Sequence, residues 1–411
     1  MTLLNIAIIG AGPAGLAAAV YLSRAGHSVS ILEQFKSAAP LGPGLMLQPT
    51  GLSVLADLGL LPAIMALGNR IDRLYGEDAK TGRMVLDVRY AALKKNRFGL
   101  AVHRAALSSV LHDAVKEAAI PVTASCEITA LEQQSAGAVL VEKSGRRHGL
   151  FDLVVDCSGA RSKLRGDSPP PRELAYGALW ASLDHVPNGR DDQALVQRYD
   201  RASVMIGVLP MGRPALGGRQ QAAFFWSIKP RNYAAVQAAG LPAWKHSVQA
   251  LWPQAQPYLD QIHSFDQFTL ARYGHHTMRR PYAQRTAFVG DSAHSASPQL
   301  GQGANMALLD AKALANALEN NRNVNEALDY YAKSRRSHMR LFQALSAAFT
   351  PFYQSDSTSL AWIRDRLVPI LARIPPAPQF LAEMVSGTVI DPFRPIGLQE
   401  ADWLAAMASN D

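Results

Sequence analysis

An apolar run, Ile6 to Ile9, leads into Gly10-Ala11-Gly12-Pro13-Ala14-Gly15 and then into a helical pattern over Leu16 to Leu22 that Gly26 closes. Val29 to Leu32 follow as a second short apolar run, with Glu33 at its end. No other feature limits the fold as strongly. Gly10 permits a tight turn, Gly12 lets backbone approach a pyrophosphate, and Gly15 lets the helix pack closely on the strand. The helix N-terminus then faces the anion, and Glu33 stands where a ribose hydroxyl would donate to it. The spacing predicts a strand, helix and strand unit that holds a dinucleotide, and it does not by itself separate flavin from nicotinamide.

The remainder of the chain divides by texture. Gly42 to Gln48 is expected as a loop, Thr50 to Leu61 and Ala105 to Ala119 as helices, and Val122 to Ala124, Ala138 to Val141 and Leu153 to Val155 as strands. Pro169, Pro170 and Pro171 break the chain and mark a crossing between domains. Beyond them Ser203 to Leu209 and Ala222 to Ile228 are strand-like, with one helix near Trp244 to Leu251. Thr286 to Val289 returns to the style of the first domain, Ala304 to Glu319 is a helix, and after Tyr330 the pattern is helical with prolines at 351, 369, 375, 376 and 378. The expected division is a discontinuous nucleotide domain at 1–74, 98–171 and 276–345, a sheet domain at 75–97 and 172–275, and a helical segment at 346–411.

Bulk properties narrow the class. At 411 residues the chain has room for two or three cores, and 48% apolar with 18% charged residues excludes disorder. The apolar stretch from Ile6 to Val20 is interrupted by glycines and a proline, and no lysine or arginine precedes it, so neither a signal peptide nor a membrane span is expected and the cytoplasm is the expected location. The two cysteines, Cys126 and Cys157, lie in no CxxC or Cys/His spacing, and no metal is expected. The net charge of +8 comes from scattered basic residues, which argues against nucleic acid. The densest group, Lys333, Arg335, Arg336, His338 and Arg340, is expected as a solvated helix face.

A second motif follows the strand at 286–289. Phe288-Val289-Gly290-Asp291-Ser292-Ala293-His294, Pro298, Gly301-Gln302-Gly303-Ala304-Asn305-Met306-Ala307-Leu308 and Asp310-Ala311 resemble the second FAD motif of the para-hydroxybenzoate hydroxylase family of single-component flavin monooxygenases. The resemblance spans about residues 3–345. It implies an α/β fold in which a Rossmann-type FAD-binding domain is interleaved with a smaller β-sheet substrate domain and followed by C-terminal helices. In the family the aspartate, here Asp291, binds the ribityl chain, and the helix after it points its N-terminus at the pyrimidine edge of the flavin. A helix N-terminus carries roughly half a positive charge, so it favours an anionic reduced flavin. Val102-His103-Arg104 matches the segment whose arginine contacts the ribityl-phosphate side, and Gly42-Pro43-Gly44-Leu45-Met46-Leu47-Gln48-Pro49 matches the segment that passes the ring. The expected FAD contacts are therefore Gly10, Gly12, Ala14, Gly15, Glu33, Gln34, Arg104, Ile128, Asp291, Pro298, Gly301, Gln302, Gly303, Ala304 and Asn305.

One stretch departs from the family. Relatives carry an Asp-Gly pair followed by serine and arginine, whereas Asp156-Cys157-Ser158-Gly159-Ala160-Arg161-Ser162-Lys163-Leu164-Arg165 places Ser158 at the aspartate. That aspartate is associated with FAD and NADPH contacts, so NADPH, NADH and a partner reductase stay open as the electron source. The stretch is closer to that of flavin-dependent halogenases and related reductases, although Phe225-Trp226-Ser227-Ile228-Lys229-Pro230 matches the halogenase tryptophan signature poorly.

The resemblance implies that NAD(P)H reduces the flavin, dioxygen adds at C4a, and the hydroperoxide delivers oxygen to a small phenolic or heteroaromatic ring from which water is excluded. The alternatives are a halogenase, an FAD oxidoreductase or reductase without peroxyflavin chemistry, and a flavin-binding regulator. Arg198, Tyr199, Phe224 and Trp226 are expected to line the substrate pocket, with Tyr273, His275 and His276 beside it. His276 or Tyr273 is expected to polarise a substrate hydroxyl, and Pro298 to shape the space over the ring. A monomer or homodimer is expected.

Overall fold

The computed structural model describes residues 3–37, 44–166, 168–371 and 374–408. Gly42 and Pro43, expected beside the ring, lie outside the described residues. Two sheets organise the chain. The first has six strands, in the order Tyr282–Ala283, Thr286–Phe288, Leu153–Asp156, Asn5–Ile9, Ser28–Leu32 and Val122–Thr123, parallel except at the Tyr282 edge. Ile6 and Ile8 are completely buried, as central strands covered on both faces require. Helices Pro13–Arg24, Arg104–Glu117 and Gly303–Asn320 share one apolar core with this sheet. Alanines Ala17, Ala18 and Ala19 let the opening helix approach its neighbours closely.

The second sheet has seven strands, in the order Thr269–Ala271, Gly177–Asp184, Gln221–Ile228, Val204–Gly212, Ala194–Asp200, Arg73–Asp78 and Met84–Arg89. Side chains alternate across it, so odd and even positions of one strand serve different cores. One face packs Phe224, Ile206 and Val208 against Trp244 and Val248 of the helix Leu241–Leu251. The opposite face carries Leu209, Met211 and Ala223, which share a cluster with Met46 and Ala101 of the nucleotide domain. This inner face is the one that confronts the nucleotide fold.

Three segments depart from expectation. Gly44–Leu47 is a strand paired with Gly99–His103 rather than a loop, because Met46 and Leu47 are buried between the two layers. The helical pattern from Thr50 splits into Pro49–Asp57 and Leu61–Leu67, with Gly59 at φ +74° between them. The basic group on the long helix Val324–Tyr353 is not a solvated face: Lys333, Arg336 and Arg340 are exposed, but Arg335 and His338 are each only 2% exposed. Arg335 is paired with Asp310, a residue 25 positions away that no local pattern reveals, and His338 lies against Arg335 and Gly387 O. Among the described residues no helix is long and apolar enough to cross a membrane.

Candidate active site

The first phosphate loop is shaped by its glycines. Gly10 has φ +97°, and a Cβ there would lie 2.6 Å from the Cys157 carbonyl oxygen. A Cβ at Gly15 would lie 2.0 Å from the Gly10 oxygen, so helix and turn touch only because neither residue has a side chain. Gly12 differs, since open space surrounds its Cβ position. It precedes a helix whose first turn has no side-chain cap, which leaves N–H donors for an anion. Glu33 closes the loop from the next strand. Its Oε2 accepts from Ala11 N at 2.6 Å and its Oε1 from Phe35 N at 2.9 Å. Gln34 beside it is exposed.

The second half repeats the arrangement. Gly301 adopts φ +62° and Gly303 opens the helix Gly303–Asn320 with no neighbour near its Cβ position and no side-chain cap. Asn305 fastens this helix to the strand Gly44–Leu47. Its Oδ1 accepts from Gln48 N at 2.8 Å, and its Nδ2 donates to Met46 O at 3.1 Å and Gly301 O at 2.9 Å. A Cβ at Gly51 would strike Asn305 Oδ1 at 2.3 Å, so that contact too depends on a glycine. Gln302 turns away and donates to Val385 O at 2.5 Å.

The helix Arg104–Glu117 joins the halves. His103 caps it by accepting from Ala105 N at 3.1 Å through Nδ1, while its Nε2 meets Ser182 Oγ at 3.3 Å. Arg104 and Asp291 attract one another, and His112 feels the charge of Glu33. Arg104 and His112 are separated by about 12 Å of helix at 1.5 Å per residue. Glu33 and Asp291 therefore stand toward opposite ends of this helix, and the strip between them is the candidate cofactor groove. Arg104, Asp291, Pro298 and Gly303 are all exposed, yet burial lowers the pKa of Arg104 and raises that of Asp291. Side chains at the bottom of a walled groove behave this way, open to a ligand but poorly solvated.

Behind the groove lies a buried charged network. Asp310 accepts from His294 Nε2 at 2.6 Å, from Arg335 Nε at 2.7 Å and from Gly290 N at 3.0 Å. Burial opposes its ionisation, but His294 and Arg335 overcome this and hold the carboxyl well below the usual range. Arg335 in turn approaches His338, whose Nε2 meets Gly387 O at 2.9 Å. Burial and the Arg335 charge push His338 down to about 3, so it is neutral. The Gly290 bond fixes the turn that presents Asp291.

The departure at Ser158 has a structural counterpart. Asp156, two residues earlier, is fully buried, and its Oδ1 accepts from Ser158 N at 2.9 Å and Ser158 Oγ at 2.6 Å. Ser162 Oγ donates to the other carboxylate oxygen. Burial raises the pKa of Asp156, and the two serines and Arg165 oppose the rise. A carboxylate is thus present in this turn, but it faces inward.

On the substrate side the alternation of the seven-stranded sheet corrects the expected pocket. Phe224 and Trp226 belong to the outer face, with ring centroids 6.1 and 5.9 Å from Trp244. Arg198 is also on that face, paired with Glu77 at 3.0 Å and lying over Trp252. Tyr199 is on the inner face but is covered by Tyr353 and Arg364 of the C-terminal helices. Missed were Trp180 and Phe225, the inner-face residues directly opposed in the register, with ring centroids 4.6 Å apart. The strand period alone contained that signal, because Phe225 is the odd neighbour of Phe224. Trp180 Nε1 donates to Tyr273 Oη at 2.8 Å, and burial pushes Tyr273 up to about 12 against the pull of Trp180 and Arg104. Tyr273 therefore sits by Arg104, and Trp226, in the segment compared with the halogenase signature, packs away from the groove. His276 pairs in register with Ser295, is buried, and lies near Arg165 and His294, with its pKa lowered by burial and by these two neighbours. His275 is opposite Arg172. Ile128 is buried with Cys126, Ala138 and Leu140 in a separate core.

Two uncapped helix starts with open glycines, an acidic residue at each end and one arginine between them fit an extended dinucleotide. A family model described as FAD binding domain matches residues 4–345. The chain belongs to that family. FAD is its cofactor, and the family is the para-hydroxybenzoate hydroxylase type that the motifs resemble. The chain is 26% identical over 349 residues to 3-hydroxybenzoate 6-hydroxylase from Polaromonas naphthalenivorans (strain CJ2), covering 81% of this chain and 84% of that one. Its fold is similar to that of Klebsiella pneumoniae HpxO, crystallised with FAD and uric acid, with TM-score 0.78, 19% identity, and coverage of 93% and 97% of the two chains. It is also similar to P. aeruginosa PqsL in complex with 2-aminobenzoylacetate, with TM-score 0.75, 20% identity, and coverage of 89% and 100%.

Proposed function

We propose that this protein is an FAD-dependent monooxygenase that hydroxylates a small phenolic or heteroaromatic compound with NAD(P)H and dioxygen. The observation that carries the reading is that the inner face of the large sheet confronts the nucleotide fold and that its Trp180 donates to Tyr273, which stands beside Arg104. Bound FAD takes electrons from a nicotinamide and activates dioxygen for transfer. The protein supplies the rest. Gly12 and the first turn of Pro13–Arg24 would receive the pyrophosphate, Glu33 the adenosine ribose, and Asp291 with Arg104 the ribityl and phosphate side. The uncapped start at Gly303 would offer N–H donors and the positive helix end to the electron-rich edge of a bound flavin, with Pro298 beside it.

Trp180 and Phe225 would form an apolar wall that excludes water and accepts a flat ring, backed by the packed Leu209 and Met211. Tyr273 Oη already accepts the Trp180 N–H, which leaves its own proton for a substrate oxygen. With its pKa at about 12 it remains a donor at neutral pH. His276, neutral and buried, serves as a support between strands in this reading. Because Asp156 is turned inward and Ser158 replaces an acidic side chain at the edge, the donor nucleotide meets a neutral hydroxyl there. The relation to 3-hydroxybenzoate 6-hydroxylase favours an acidic aromatic substrate, which the +8 chain would attract. A nicotinamide donor and two unpaired cysteines suit the cytoplasm.

The test is donor oxidation by the purified yellow protein with a panel of hydroxybenzoates and hydroxylated heteroaromatics under labelled dioxygen. A panel member that stimulates NADH or NADPH oxidation and acquires one labelled oxygen supports the reading. Oxidation that sends all oxygen to hydrogen peroxide with every compound, or that incorporates halide instead, refutes it.

A further inference from the structure

The sequence spacing isolates Cys126, yet the fold does not. An antiparallel meander of Ile128–Gln133, Ala138–Glu142 and Arg147–Phe151 pairs Glu142 with Ile128 and Leu140 with His148. Because residues two apart share a face, Cys126, two before Ile128, and Glu142, two after Leu140, come to the same side as His148. Their ligand atoms meet. Cys126 Sγ is 3.5 Å from His148 Nε2 and 3.8 Å from Glu142 Oε2, and the last two atoms are 3.1 Å apart. Among the described residues this is the group whose Cys, His and carboxylate donor atoms all lie within 4.8 Å of one another.

The triangle has the size of a metal site. Bonds of about 2.3 Å to sulfur and about 2.0–2.1 Å to nitrogen and oxygen, at tetrahedral angles, place ligand atoms about 3.3–3.6 Å apart. A Glu–His pair needs no thiol; at 3.5–3.8 Å the sulfur is within reach of a weak thiol hydrogen bond, and the same spacing suits three ligands of one ion. The exposures also fit. Cys126 is buried, whereas the His148 and Glu142 side chains are 12% and 17% exposed, which leaves an approach from solvent. Ser144 donates to Glu142 and steadies that carboxylate as an outer partner would.

We propose that Cys126, Glu142 and His148 bind one zinc ion, with water at the fourth position. The mixed sulfur, nitrogen and oxygen set suits this ion better than magnesium or calcium. Binding replaces the thiol proton by a sulfur–zinc bond and releases that proton to solvent, with His148 binding through Nε2. The site is outside the cofactor groove but connected to it. Cys126 N donates to Glu33 O at 2.8 Å and Ser125 N to Phe35 O at 3.1 Å, so the ion would clip the meander to the strand that carries Glu33.

The test uses FAD-loaded protein freed of metal by a chelator. Zinc is returned and counted per chain by elemental analysis, its affinity is read by competition with a chromophoric chelator, and cobalt(II) is added as an optical probe. The expected results are one zinc per chain and a sulfur-to-cobalt charge-transfer band. Cys126→Ser should abolish the band, and His148→Gln and Glu142→Gln should each weaken zinc by more than about a hundredfold, beyond what loss of an outer partner costs. His263→Gln, an exposed histidine elsewhere, should change nothing. Should Cys126→Ser fail to fold, the His148 and Glu142 variants decide alone. Wild-type protein with full flavin that binds zinc no more tightly than His148→Gln, or that shows no thiolate–cobalt band, overturns the proposal.

Discussion

Asp310→Asn tests whether the buried network is what holds the second cofactor motif. The carboxylate is 1% exposed and accepts three hydrogen bonds, from Arg335, His294 and Gly290. An amide offers one acceptor oxygen and two N–H donors in the same volume, so a donor must face Arg335 Nε–H or the pair formed by Gly290 N–H and His294. The Arg335 guanidinium is then buried without an anion. Removing one partner of a buried ion pair costs about 3–5 kcal/mol. Unfolding entropy of about 2.1 cal/mol/K per residue gives about 0.9 kcal/mol/K for the chain, so the melting temperature should fall by about 3 to 6 °C. Flavin retention should fall with it, because the network that holds Gly290 and hence the Asp291 turn loses either its Arg335 or its Gly290 bond. The assay is calorimetry of holoprotein at neutral pH, with flavin counted by absorbance after gel filtration. In Asp310→Asn/Arg335→Met the unpaired charge is gone, and part of the loss should return. A single variant that melts within about 1 °C of wild type, or a double variant less stable than the two single losses combined, refutes the reasoning.

Phe225→Ala and Phe224→Ala separate the two faces of the large sheet. Phe224→Ala should lower stability by about 3–5 kcal/mol and leave KM within about twofold, while Phe225→Ala should raise KM or divert oxygen to peroxide. Equal effects on turnover from both would place the pocket elsewhere. Glu400 ties the C-terminal segment to Arg97 at its Oε1 and to Lys95 at 2.7 Å. Burial would raise its pKa, but Arg97, Lys95 and Trp403 hold it down at about 2. A depressed carboxylate stabilises the fold fully above its unfolded pKa of about 4.3 and loses that contribution as pH falls toward 2. Limited proteolysis should therefore release the C-terminal segment below about pH 4 before the nucleotide core opens, and Glu400→Gln should show the release at neutral pH. An acid-independent pattern in wild type would refute this.

Local rules carried the cofactor motifs. The positive-φ turns at Gly10 and Gly301 and the contact of Gly15 with the Gly10 carbonyl are made within a few residues, although the close approach of Cys157 to Gly10 is not. Substrate-side residues were harder to read, because Phe224 and Phe225 are equally apolar and equally strand-like. The period-2 rule says that they face opposite ways without saying which way is inward. Arg335 and His338 were misjudged for a related reason: a charged helix position is normally solvated, and only a carboxylate brought from another helix makes its burial tolerable.

What the chain determines on its own is therefore its nucleotide-binding topology, set by short-range geometry at glycines, strand ends and helix starts. What only the tertiary structure decides is which sheet face meets the groove, which charges pair in the interior, and that Cys126, Glu142 and His148 stand together. Those outcomes depend on pairing register between segments remote in sequence, where a shift of one residue sends every side chain to the opposite face.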